Sequence, residues 1–188
     1  MEKISSDLCG PFRIKTHDNK AYFITFLDKY SRYLEVQLLA NKTEVLAVFL
    51  EFKAKAENNI KGYKIRVFQC DNGLEYKHLL KYLLKEGIIS QLSPVYTPES
   101  NGLPERINRT LITKVRAILI QSNAPKYLWG EALLAIVYIY NRTPHSALGF
   151  KTPYELAYKI KLNIDNIKIW GSITYYKIKG PQRSKLES

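Results

Sequence analysis

The chain has 188 residues, 46% of them hydrophobic and 14 of them tyrosine, which is enough to bury a substantial core and excludes a disordered or low-complexity segment. Its formal charge of +12 divides into +3 over residues 1–100 and +9 over 101–188, an asymmetry that favours a polyanionic partner. Cys9, Cys70, His17, His78 and His145 stand at no paired ligand spacing, which excludes a zinc ribbon and argues against a disulfide scaffold; no long apolar run occurs, so no signal peptide or membrane span is expected and a reducing intracellular setting is.

In chain order, residues 21–28 (AYFITFLD) and 33–39 (YLEVQLL) form two short apolar runs joined by Lys29 to Arg32, which predicts a hairpin. Thr43 has the character of an N-cap for a helix running to about Asn58. Residues 63–70 (YKIRVFQC) predict a strand ending at Asp71-Asn72-Gly73, followed by a helix over 75–86 that stops at Gly87 and a short strand over 88–92. From about residue 103, Leu103, Ile107, Leu111, Val115 and Ile118 place an apolar stripe on a long helix. A second helix is predicted from about Tyr127 to Asn141, with core the better reading of its apolar content, and a short third one near Pro153. Residues 166–179 suggest a terminal strand pair around Gly171. This order predicts an α/β layered fold with a mixed sheet, one domain over 1–160 and an extension with short strands over 161–188.

Three acids sit where elements end or begin. Asp7 closes or interrupts the first short strand, Asp71 closes an otherwise apolar and basic one, and Glu105 opens the long helix. A carboxylate beside Asn-Gly is, taken alone, more often a turn residue than a catalyst. The surrounding words add to this. Residues 6–12 (SDLCGPF), 28–33 (DKYSRY), 71–76 (DNGLEY) and 96–111 (YTPESNGLPERINRTL) occur in this order, followed by 141–144 (NRTP), 151–155 (KTPYE) and 170–172 (WGS). Together they strongly resemble the integrase catalytic core of copia-type long-terminal-repeat retrotransposons, over essentially the whole chain.

The resemblance implies an RNase H-like three-layer fold, with a mixed five-stranded sheet flanked by helices, and a catalytic triad carried over onto Asp7, Asp71 and Glu105. It implies two magnesium or manganese ions, with Asp7 bridging and Asp71 and Glu105 each on one ion, a chemistry that hard oxygen ligands suit. The implied activity is strand transfer of element DNA ends into target DNA by a homo-oligomer assembled in the cytoplasm and acting in the nucleus. Full-length relatives place a His/Cys zinc domain before this core and a basic region after it. The 33 residues between Asp71 and Glu105 are slightly fewer than relatives have, and Pro104 stands where they usually carry Ala or Val. Proline is acceptable in a first helical turn, which would leave Glu105 at a helix start.

At 100° per residue, Arg109 and Arg116 lie about 40° and about 20° around the helix from Glu105, opposite the apolar stripe. Both, with Asn108 as a weaker third, are candidate DNA-phosphate contacts; the bland alternative is a surface ion pair from Glu105 to Arg109. Asp28 reads as a turn residue pairing with Arg32, and Glu99 as a solvent-facing residue of a flexible loop. Two rival functions stand beside strand transfer: a non-catalytic nucleic-acid-binding relic, and a nuclease cutting RNA in hybrids. The residue 101–109 word resembles integrases and not the latter.

Overall fold

The structure, a computed structural model, describes residues 2–60, 62–93, 98–165 and 167–172. Strands β1 (Lys3–Cys9), β2 (Tyr22–Asp28) and β3 (Leu34–Leu39) precede helix α1 (Val45–Asn59); β4 (Val67–Cys70), α2 (Lys77–Lys85) and β5 (Ile89–Leu92) follow. Helices α3 (Pro98–Gln121), α4 (Trp129–Tyr140) and α5 (Pro153–Tyr158) complete the order. The five strands form one sheet in the order β3-β2-β1-β4-β5, antiparallel from β3 to β1 and parallel from β1 to β5. This is the mixed five-stranded sheet with flanking helices that the motifs imply.

The period-2 alternation of β2 builds both cores. Ile24 and Phe26 face α1 and α2, where Phe26 stacks on Phe52 at 4.4 Å and Phe49 meets Phe68 edge-on at 5.1 Å. Phe23 and Leu27 face α3 and α4, packing with Ile107, Leu111, Val115, Leu133 and Ile136. Helix α4 is thus core on its inner side, while Leu134, Tyr138 and Ile139 remain exposed. Trp129 stacks on Phe12 at 4.4 Å and donates its indole N–H to the Ile14 carbonyl at 2.9 Å, tying the segment after β1 to α4. Gly130 permits the close approach of α4 to β3, because a Cβ there would lie 2.7 Å from Leu38.

Several expected boundaries move. The helix predicted from Thr43 is preceded by a tight turn over Lys42–Glu44, and the Glu44 carboxylate reaches back to the Asn41 N–H at 3.1 Å, so capping sits two residues earlier. Residues 63–66 make no strand because β1 begins only at Lys3, although Tyr63 and Ile65 are still buried in the core. Helix α3 begins at Pro98, five residues before the expected start. Proline suits a first helical position, so the residues read as a flexible loop around Glu99 become a first turn. Pro104 is then interior, costing one backbone bond, and Glu105 lies in the second turn rather than at the helix start. Residues 167–172 carry no strand, and the rest of the expected terminal pair lies outside the described residues.

Asn141, just past α4 and almost fully buried, clamps β3 from a distance. It accepts the Leu34 N–H at 2.9 Å and donates to the Leu34 carbonyl at 2.7 Å, while its own carbonyl accepts the Tyr154 N–H of α5. Asn141→Ala leaves a buried donor and acceptor unpaired, and is expected to lower unfolding stability by about 2 kcal/mol. Urea titration measures it; a change within error would mean that water replaces both bonds.

Candidate active site

Strand parity and helix periodicity bring the acids together. On β1, Ile4 faces α1 and α2, so Lys3, Ser5 and Asp7 face α3; Asp7 lies opposite Thr25 of β2. On β4, Phe68 and Cys70 point into the α1/α2 core, which turns Gln69 and then Asp71 toward the same face as Asp7. β1 and β4 are adjacent and parallel, so Asp7, within the last part of β1, and Asp71, just past the end of β4, point to one side at neighbouring positions. Glu105 approaches from α3.

The Asp71-Asn72-Gly73 word has a local cause. Asp71 Oδ1 accepts the Gly73 N–H at 3.1 Å, and a Cβ at residue 73 would lie 3.0 Å from that oxygen and 2.8 Å from the Glu75 carboxylate. Asp71 is therefore a turn residue and an aimed carboxylate at once. Glu75 in turn pairs with Lys42 at 3.2 Å.

Asp7 carries the electrostatic burden. Burial first, then the charge of Asp71 and the charge of Glu105, raise its carboxyl from 3.8 to about 6, while a hydrogen bond from Asn108 opposes the shift. That bond runs from Asn108 Nδ2 to Asp7 Oδ2 at 2.8 Å. Asn108 is 4% exposed, and its Oδ1 is buried with no partner among the described residues. An amide committed to Asp7 in this way orients that carboxylate, and Asn108 also stands in the wall of the cleft beside Asp7.

Asp7, Glu105, Arg109 and Arg116 line one open cleft of about 360 Å³, with Leu8, Cys9 and Ile112 among its apolar walls. Asp71 stands beside this cleft rather than lining it. The ion pair that the spacing allowed between Glu105 and Arg109 is not formed among the described residues. Burial and the nearby Asp7 push the Cys9 thiol up to about 11, and burial with Asp71 and Glu75 pushes Cys70 up to about 12, so neither is a thiolate at neutral pH. Among the described residues, no three carboxylate, imidazole or thiol side chains stand close enough together to hold a metal ion.

Asp28 does not pair with Arg32. Its Oδ2 accepts the Ser31 N–H at 2.7 Å and also the Ser31 hydroxyl, and Arg32 contributes only its backbone N–H, to the Asp28 carbonyl at 2.9 Å. Arg32 itself has φ 60°, a left-handed conformation.

No family model matches the sequence. The chain is similar over its whole length to the retrovirus-related Pol polyprotein from transposon TNT 1-94 of Nicotiana tabacum, at 34% identity over 189 residues. It is likewise similar to that from transposon RE1 of Arabidopsis thaliana, at 32% identity over 187 residues. It spans only 14% and 13% of these polyproteins. Among solved structures, the HTLV-2 integrase catalytic core domain in complex with magnesium, in trimeric form, superposes with TM-score 0.62 at 17% identity, covering 83% of this chain and 95% of that one. A chain of the simian T-cell lymphotropic virus intasome gives TM-score 0.67 at 18% identity, covering 95% of this chain and 60% of that one. The catalytic core of BIV integrase gives 0.57 at 18% identity, covering 84% and 94%. Among the described residues no helix is long and apolar enough to cross a membrane.

Proposed function

We propose that this chain, which belongs with the retrovirus-related Pol polyproteins of transposons and has the fold of an integrase catalytic core, joins element DNA ends to target DNA by divalent-metal-dependent strand transfer in the nucleus. The observation that carries the proposal is the placing of Asp7, a half-buried carboxylate whose pKa is raised first by burial and then by the negative charges of Asp71 and Glu105 from two other elements. Carboxylates crowded in this way are what a pair of magnesium or manganese ions neutralises. Asp7, with Asp71 and Glu105, would hold such ions, whose remaining ligands would come from phosphate and water. Such an arrangement needs pairs of protein ligands and no preformed three-residue cage. When bound, the ions supply charge neutralisation at the attacking and leaving oxygens of an in-line displacement.

The chain's own groups do the positioning. Asn108 fixes the Asp7 carboxylate, the α3 backbone carries Glu105 to the cleft, and Arg109 and Arg116 offer guanidinium forks to backbone phosphates on the same cleft. DNA at both ends of the reaction and assembly as a homo-oligomer complete the proposal, in keeping with the trimeric HTLV-2 core and the intasome chain that share this fold.

The test is whether the 188-residue chain joins or nicks labelled duplex ends only when magnesium or manganese is present. Folded protein that binds DNA but yields no product with either ion would leave the non-catalytic nucleic-acid-binding reading in its place. A second measurement addresses the arginines. Arg109→Glu and Arg116→Glu should weaken binding to unrelated DNA sequences about equally and flatten the slope of log affinity against log salt by about one per lost phosphate contact. An unchanged slope would return both to ordinary surface residues.

A further inference from the structure

Helix α3 has a second cleft, on a flank that the catalytic proposal leaves unused. Arg106, Thr110 and Lys114 recur every four residues and lie about 100° to 180° around the helix from Glu105. They form one wall of a cleft of about 260 Å³, and Arg32 and His145 stand in its other walls. Among the described residues no acidic side chain lines it, and Arg32, Arg106 and Lys114 enter no ion pair. An uncompensated cluster of this kind repels itself, and in a folded chain it calls for an anion. The neighbourhood adds to the excess: burial, then the like charges of Lys3 and Arg32, hold Lys29 below the usual lysine range.

The polar groups of the cleft sit on fixed supports. Arg32 is set at φ 60° by the turn whose bonds run through Asp28 and Ser31. His145 packs edge-on against Tyr140, ring centroids 4.8 Å apart, and its backbone pairs with Lys151 at 3.1 Å. Groups held in place lose little freedom when they take a ligand. The dimensions select the ligand class. From Arg106 to Lys114 the helix rises about 12 Å at 1.5 Å per residue, which exceeds what one small anion spans and lets successive phosphates of one strand lie along it. Tyr140, Ile107 and Leu111 give the cleft an aromatic and apolar floor beneath its basic rim, the pairing that nucleic-acid grooves use.

We propose that the Arg32–Arg106–Lys114–His145 cleft is a second phosphate-binding site for a nucleic-acid strand, separate from the cleft at Asp7, so that α3 carries nucleic acid on two flanks. The proposal does not rest on catalysis by Asp7, Asp71 and Glu105, and its test is made in chelator, where their activity plays no part.

Fluorescence anisotropy of a labelled duplex of unrelated sequence is measured against the full chain across a salt titration. Arg106 and Lys114 are exposed helix positions, so Arg106→Gln/Lys114→Gln should keep the wild-type melting temperature. The double variant should bind about tenfold more weakly at low salt, with a log–log slope shallower by about two. Arg109→Gln/Arg116→Gln should produce its own loss, and the four-residue variant the sum of both. Arg32→Gly, which removes a side chain from a left-handed backbone position, should lower the slope by about one and serves as an independent readout. An unchanged slope in both the double variant and Arg32→Gly overturns the proposal. So does a combined loss no larger than that of either pair, which would mean a single phosphate path. An orthophosphate arm at matched ionic strength separates the sources: if orthophosphate raises the melting temperature of the wild type alone while the DNA slopes coincide, the cleft holds free phosphate and no strand.

Discussion

Asp7→Asn, Asp71→Asn and Glu105→Gln are each expected to reduce divalent-dependent DNA joining by about a thousandfold or more, which corresponds to the several kcal/mol that metal-borne charge stabilisation contributes to a phosphoryl transition state. The three losses should be nearly equal, and double substitutions should be scarcely worse than single ones, because ligands of one metal pair act as a unit. The substitutions are close to isosteric. Asn at residue 7 still accepts from Asn108 Nδ2, and Asn at residue 71 still accepts the Gly73 N–H, so circular dichroism and DNA binding in chelator should match the wild type. A variant that retains robust joining removes its residue from the site. Wild-type activity in all three would refute the metal-dependent proposal altogether.

In chelator, Asp7→Asn should be more stable than the wild type at neutral pH and equal to it in acid. The Asp7 carboxyl titrates at about 6 in the folded chain against 3.8 as an isolated group. A carboxylate raised on folding binds its proton more tightly in the native state, so wild-type stability falls as pH rises from about 4 to about 6 and stays lower above that. The displacement amounts to about 3 kcal/mol at most by linkage. Asp7→Asn removes it, which predicts a melting temperature higher by about 4 to 10 °C at pH above 6 and none of that gain near pH 4. Asp71→Asn should give part of the same gain, because it removes the neighbouring charge that contributes most to the shift after burial. Millimolar magnesium should act in the opposite sense, raising the wild-type melting temperature and raising those of the two variants much less. Scanning fluorimetry across pH, with chelator and with magnesium, reads both effects. Parallel curves for wild type and Asp7→Asn throughout would show that the three carboxylates do not share one site.

The elements and their faces were legible in the residues themselves. The alternation Phe23, Ile24, Phe26, Leu27 assigns β2 to two cores, the four-residue repeat from Ile107 to Val115 assigns the buried side of α3, and Gly87 marks where α2 ends. The placing of Asp71 just past a strand end was legible for the same reason, as was the sharing of one α3 face by Glu105, Arg109 and Arg116. Backbone periodicity is a local property, and it fixes the direction of a side chain without reference to the rest of the chain.

What depended on packing was not legible. Asn108 is bonded to Asp7 across 101 positions and Asn141 to Leu34 across 107, and no local signal marks either asparagine as buried. The start of α3 at Pro98, which moves Glu105 into the second turn, and the choice of Ser31 over Arg32 as the partner of Asp28 were likewise open in the sequence. Arg32, Arg106 and His145 are scattered basic residues until the β2–β3 turn, α3 and the segment after α4 meet around one cleft. Local sequence sets which way a group points along its own element. Only the packing of elements distant in sequence decides what it meets there, and so whether an asparagine binds a phosphate or holds a carboxylate, and whether separate cations become one site.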